Sequence, residues 1–361
     1  MNHPRRLLRS RSFPVQTALL LTAALSLPAQ TTVAVPCARD NTLYQNATGT
    51  VSNGQGASLF VGVTSGGSVR RALLAFDVAA VVPAGARIVA ADLTIQVVQT
   101  TFFSPLDVTG HRVSRDWGEG TSAAVGNGGG GAPATTGDAT WVHTFFPGTT
   151  WTNPGGDFAA APSFTLVSPT FGAGTSSPSS AMLADVQSWL DNPTQNFGWC
   201  LKTAESGSRA TRRFDSSENT LGAPPVLRVT YLMPGQGTAV GTGCPVNGQP
   251  FTLGLVGAPI GGTTIQLVQS QGPANQLAAN LMALSFDPVG APLLPQCSLL
   301  LPFGGVIATL NVFPLSATGT GSTPVPLPVG FPGLMLTSQT AALDPGPNGF
   351  VLSNALVMLL Q

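Results

Sequence analysis

Short apolar runs, each closed by Gly, Pro, Asn or Asp, recur from residue 42 to the end of the chain. In ADLTIQVV the alternation puts Leu93, Ile95 and Val97 on one face, as a half-buried strand requires. The same reading places strands at 42–46, 58–63, 70–78, 87–99, 106–114, 164–168, 198–204 and 226–232. A second series follows at 251–257, 263–270, 279–286, 306–313, 334–343 and 355–360. One segment keeps a different period. Met182, Leu183, Val186, Trp189 and Leu190 fall at helical spacing, with Ser179 or Ser180 as cap and Asn192-Pro193 as stop. The pattern predicts an all-β chain of two β-sandwich modules, the first carrying one short amphipathic helix anchored by Trp189 across an open end.

Composition sharpens this picture. Charged residues are only 8% of the 361, while 43 Gly and 31 Pro suit many short strands and few helices. The charge is also unevenly placed. From Pro234 onward the chain holds only Asp287 and Asp344 and no Lys, Arg or His. That shift predicts a boundary, with 38–233 as one module, 234–243 as a linker and 244–361 as an uncharged second module whose exposed face is served by Thr, Ser, Gln and Asn. Net charge is zero, with no basic block beyond the first dozen positions, so nucleic-acid binding through phosphates has no electrostatic support.

The N-terminus reads as a secretory signal peptide over 1–30. Arg5, Arg6, Arg9 and Arg11 precede the apolar run Thr17 to Leu27, which is too short for a permanent membrane span. Arg5-Arg6 faintly resembles a twin-arginine signal, but the general secretory route fits better. The apolar tail FVLSNALVMLLQ lacks a basic stop and reads as a final strand. A secreted or cell-surface location is therefore expected. Four cysteines outside the cytoplasm suggest disulfides, and none lies in a C-x-x-C zinc spacing. Cys244 and Cys297, alone in the second module, are expected to pair. Elimination then leaves Cys37 for Cys200, with a free Cys37, a few residues beyond the expected cleavage site, as the alternative.

Six segments in order carry a family resemblance: ARDNTLYQN (38–46), RRALLAFDV (70–78), VPAGARIVAADLTI (82–95), RDWGEGT (115–121), MLADVQSWLDNPTQNFGWCLK (182–202) and RRFDSSENTLGAPPVLRVTYL (212–232). Together they resemble the DNRLRE-type domain over about 38–233. The resemblance implies a jelly-roll sandwich akin to carbohydrate-binding modules, from a bacterial secreted protein that attaches to polysaccharide; some relatives are similar to alginate-binding modules. The insertion GNGGGGAPATTG at 126–137 departs from that pattern. The second module, through GTGCPVNG (241–248) and GLMLTSQTAALDPGPNGFVLSNAL (333–356), resembles a planctomycete-type secreted C-terminal β-domain, which implies a fold and no activity.

Candidate chemistry is sparse. His111 and His143 have no G-x-S-x-G elbow or other nucleophile signature beside them. Asp116 and Glu119 form a carboxylate pair of the type glycoside hydrolysis uses, but in a Gly-rich loop with no apolar pocket signature to raise either pKa. The GNGGGG run lacks the Lys-Ser or Lys-Thr of a phosphate loop. No catalytic role is expected. For sugar binding, Trp117, Trp141 and Trp151 are the candidate stacking faces, whereas Trp189 and Trp199 read as core. Arg70-Arg71 and Arg212-Arg213 each direct one guanidinium outward, where it can meet uronate or sulfate. Asp40, Asp215 and Glu218 can converge at one end of the sandwich as a structural calcium site, with turn capping as the alternative. No other cofactor is expected. The function read from all this is non-catalytic binding of a polysaccharide or cell-surface glycan, anionic and alginate-like. The alternative is a structural or adhesive envelope protein without sugar affinity.

Overall fold

The computed structural model describes residues 30–206, 209–302 and 308–361; the expected signal peptide falls in 1–29, outside the described residues. The described residues are almost entirely β, and the one α-helix among them, Ser180–Asp191, begins where the sequence places it. Ser179 caps that helix, its hydroxyl accepting from the backbone N–H of Met182. No helix among the described residues is long and apolar enough to cross a membrane.

In the first module, strand Thr31–Tyr44 belongs to two layers. Its first half pairs with Val226–Leu232, and after a bulge between Cys37 and Arg39 its second half pairs with Val69–Phe76. Bulges are how strands switch sheets at sandwich corners. One layer contains Val226–Leu232, Arg87–Thr100, Thr211–Asp215 and Ser58–Val63 in that order; the other contains Val69–Phe76, Trp199–Lys202, Leu106–Arg112 and Phe164–Ser168. Between them lies a core drawn from both, including Leu59, Leu74, Leu93, Ile95, Val97, Leu166, Phe214 and Leu227. Met182, Val186 and Trp189 of the helix complete it. The module thus begins at Thr31 rather than 38, because residues 31–36 are an integral strand edge.

The run Ala72 to Phe76 is apolar at every position because the strand is buried on both faces. Ala72, Leu74 and Phe76 face the main core, while Leu73 and Ala75 enter a second cluster with Leu43, Val113, Trp117, Ala139, Trp141, Trp151 and Cys200. The long irregular segment 113–162 covers that outer face.

The second module stacks two sheets, one of Gln236–Val240, Phe350–Leu359, Met335–Leu343, Leu277–Ala283 and Ala308–Pro314, the other of Thr252–Val256, Thr264–Ser270 and Gly321–Pro326. Leu253, Leu255, Ile265 and Leu267 meet Leu336, Leu356 and Met358 between them. Uncharged polar residues serve the interior as well as the surface. Gln269 donates to Asn280 Oδ1 at 2.9 Å, Asn280 to Thr323 at 2.6 Å, and Thr340 to Asn280 at 2.7 Å. The first two of these buried bonds join the two sheets, and directional bonds of this kind fix register as apolar contact does not.

Residues 234–243 are not a free linker. Gln236–Val240 pairs with Phe350–Leu359, so the crossing between modules is only a few residues long. The modules share an apolar contact in which Val89 and Leu232 meet Met335, Val357 and Leu359.

Cys244 and Cys297 are bridged, closing a sequence separation of 53 residues. Cys37 and Cys200 are not. They flank strand Val69–Phe76 on opposite sides, opposite Phe76 and Leu73. Two strand spacings are about 9.6 Å, beyond the roughly 7 Å between Cα atoms that a disulfide spans. Burial pushes the Cys200 thiol up to about 12 and raises that of Cys37 well above its ordinary value. Native protein at pH 8 should therefore react negligibly with a thiol reagent, and unreduced denatured protein should titrate as two thiols; finding none would contradict the free cysteines.

Candidate functional site

Segment 113–162 is built to cover a sheet, and this decides the fate of the tryptophans. Trp117 is 0% exposed, Trp151 4% and Trp141 9%. The Trp117 indole donates to the Phe197 carbonyl and that of Trp151 to the Thr140 carbonyl, each at 2.9 Å. The expectation of three stacking faces is corrected: the doubly apolar strand beneath needs a hydrophobic cover, and these rings are the cover. Trp189 and Trp199 lie in the main core, their ring centroids 4.5 Å apart.

The four arginines separate into two kinds. Arg212 is fully buried and donates to Ser168 Oγ, Thr100 Oγ1 and the carbonyls of Pro169, Phe102 and Ser104, so it fastens the 100–104 and 168–169 turns. Arg71 points outward from the main core but lies under the 113–162 cover. There it forms a two-pronged ion pair with Glu205 at 2.6 and 2.7 Å and stacks over Trp141. Both are structural, which corrects their assignment to ligand.

Arg70 and Arg213 differ. Among the described residues neither has a carboxylate within salt-bridge distance. Register brings them to one face: Arg213 is opposite Phe60 on one side and Gln99 on the other, while Arg70 is opposite Gly62, two residues along from Phe60. Between them lies a shallow groove of about 170 Å³, lined also by Thr100, Thr211 and, from the glycine-rich insertion, Asn127 and Gly129. The Arg70 guanidinium stacks over Tyr44 with its centre 4.7 Å from the ring centroid, and its Nε is buried without an acceptor. Burial lowers its pKa from the ordinary arginine value. Arg213 is held by Ser58 Oγ at 2.7 Å and by Gln99. Phe60 and Gln99 were not legible as site residues because only inter-strand register brings them beside the arginines, and Asn127 because it arrives on a loop.

The expected calcium ligands converge in part. Asp40 and Glu218 lie together, but their third neighbour is Glu119 rather than Asp215. Asp215 caps its own turn, accepting from Asn219 Nδ2 at 2.5 Å and the Ala223 N–H at 2.9 Å. Asp116 and Glu119 do not act as a pair. Asp116 bonds Arg39 at 2.7 Å, while Glu119 accepts from the Asp40 N–H at 2.7 Å. Burial, then the nearby Glu218, raises the Asp40 pKa to about 8. Glu119 is also raised, again chiefly by burial. Asp40 is 0% exposed, whereas Glu119 and Glu218 are half-buried.

The histidines sit in satisfied structural settings. His111 contacts the Ala159 carbonyl at 2.9 Å and Thr109 Oγ1 at 3.0 Å, and burial lowers its pKa. His143 bonds Thr140 Oγ1 at 3.0 Å and meets Phe146 edge-on.

No family model matches this chain, and no curated protein matches it either.

Proposed function

We propose that the first module binds an anionic polysaccharide along the groove between Arg70 and Arg213, as a non-catalytic attachment module of an exported protein. The observation that carries this reading is the convergence on one open groove of two guanidiniums that, among the described residues, have no carboxylate partner. A guanidinium matches a carboxylate or sulfate through parallel N–H donors. Gln99, Asn127 and Thr211 add hydrogen-bonding groups of the type sugar hydroxyls need. The groove is smaller than the roughly 300–1,000 Å³ of enclosed ligand pockets, which suits a length of polymer lying across a sheet. The resemblance to DNRLRE-type domains points to the same ligand class.

Binding of this kind is modest and screened by salt over about 8–10 Å. The protein should be retarded on immobilised alginate at low ionic strength and released as salt rises. The double variant Arg70→Gln, Arg213→Gln should lose at least about tenfold in affinity, the loss of roughly 1.4 kcal/mol from two charge-assisted contacts. Retention that salt and the double variant both leave unchanged would reject the reading.

A further inference from the structure

Asp40, Glu119 and Glu218 come from three separate parts of the first module: the first long strand, the loop that opens the 113–162 cover, and the turn before the last strand. We propose that these three carboxylates form a calcium site that fastens the cover and the turn to the first strand. The proposal is independent of what the groove binds.

The geometry is that of a preformed oxygen cage. One oxygen from each residue lies within 4.8 Å of the others. Two oxygens on opposite sides of a calcium ion, each at 2.3–2.6 Å, are about 4.6–5.2 Å apart, so the three oxygens are spaced as ligands of one ion are. Each carboxylate is also aimed. The Ser217 N–H donates to Asp40 Oδ2 at 2.7 Å, the Ser217 hydroxyl to Glu218 Oε1 at 2.8 Å, and the Asp40 N–H to Glu119 Oε1 at 2.7 Å. These bonds leave Asp40 Oδ1 and Glu218 Oε2 buried with no hydrogen-bond partner. Outer donors that orient a carboxylate while its other oxygen waits are the usual surroundings of a metal ligand.

Charge gives the same answer. Among the described residues no basic side chain lies within salt-bridge distance of any of the three, and neighbouring Arg39 is turned to Asp116. Three clustered carboxylates, one of them fully buried, need a cation or a proton to be tolerated. All offered ligand atoms are hard oxygens, which select calcium or magnesium over zinc. The Cys37 thiol donates to Asp40 Oδ2 at 3.8 Å, the oxygen already bonded by Ser217, and is not among the offered ligand atoms. Calcium is favoured over magnesium because the three ligands are protein carboxylates, whereas magnesium holds its waters and demands a strict octahedron.

The test uses the full chain. Isothermal titration with calcium chloride after EDTA treatment should show one ion per chain. Calcium about 100-fold above its dissociation constant should raise the melting temperature of the first module by roughly 5–10 °C over the EDTA value. Magnesium at the same concentration should give a small fraction of that shift. Glu218→Gln and Glu119→Gln should each abolish most of the calcium-dependent shift. In EDTA they should melt no lower than the unsubstituted protein, because a like charge has been removed. No calcium uptake by the unsubstituted protein would overturn the proposal whether or not the variants fold, since a shared proton then satisfies the cluster. An equal magnesium effect, or full calcium response in both variants, would overturn it too.

Discussion

Replacing Trp199 with alanine should destabilise the first module by about 3–5 kcal/mol, enough to unfold a domain of ordinary marginal stability at 37 °C. Trp199 is fully buried where its sheet meets the helix: Trp189 is 4.5 Å away between ring centroids, Phe164 5.0 Å edge-on and Phe76 6.1 Å. Truncation opens a cavity that three rigid rings cannot collapse into. It also removes the indole N–H that donates to Asp185 Oδ2 at 2.8 Å, a carboxylate that Ser163 holds at 2.5 Å and Arg112 approaches at 3.4 Å. Trp199→Phe separates the two effects. It keeps most of the packing, loses the donor, and should cost about 1–3 kcal/mol. Denaturant unfolding followed by fluorescence measures both, and a Trp199→Ala cost under about 1 kcal/mol would show that the helix and its sheet do not close on this ring.

Removing the Cys244–Cys297 bridge should act on the other module. For a separation of 53 residues the chain-entropy model gives about 4 kcal/mol, less any strain relieved. The bridge lies in a cluster with Phe251, Leu299, Leu301 and Leu352, and Cys244 Sγ accepts the Leu352 N–H at 3.0 Å. The double alanine variant therefore loses packing as well as a crosslink. Its second module should unfold at markedly lower denaturant, while the first keeps its transition and its retention on alginate. Equal loss in both modules would mean that the Val89, Leu232, Met335, Val357 and Leu359 contact couples them into one cooperative unit.

Strands and helix were legible because local pattern determines them. SLFVGV and VLRVTYL become strands with the bounds their sequences suggest, and the Ser179 cap begins the helix. Gly321–Pro326 was missed because its prolines argue against a strand; it survives as an edge, pairing only with Thr264–Ser270. Period-2 reasoning separated Arg212 from Arg213 but could not say what lies outside a strand. The unbroken apolar run at 72–76 held that clue, since a strand apolar on both faces needs a cover, and the cover took Trp117, Trp141 and Trp151. The carboxylate trio depended on where a loop folds back: Asp40 and Glu218 were foreseen together, and Glu119 arrives from a residue separation of 79.

The central claim, that the Arg70–Arg213 groove holds an acidic polymer, is tested most directly by nuclear magnetic resonance of the labelled protein titrated with a short uronate oligosaccharide. The account predicts that the Arg70 and Arg213 Nε–H signals, the Gln99 and Asn127 side-chain amides and the Phe60 backbone shift together in one saturable process that salt weakens. A saturating interaction that leaves these signals in place and moves others, or an equal response to a neutral oligosaccharide, would contradict it.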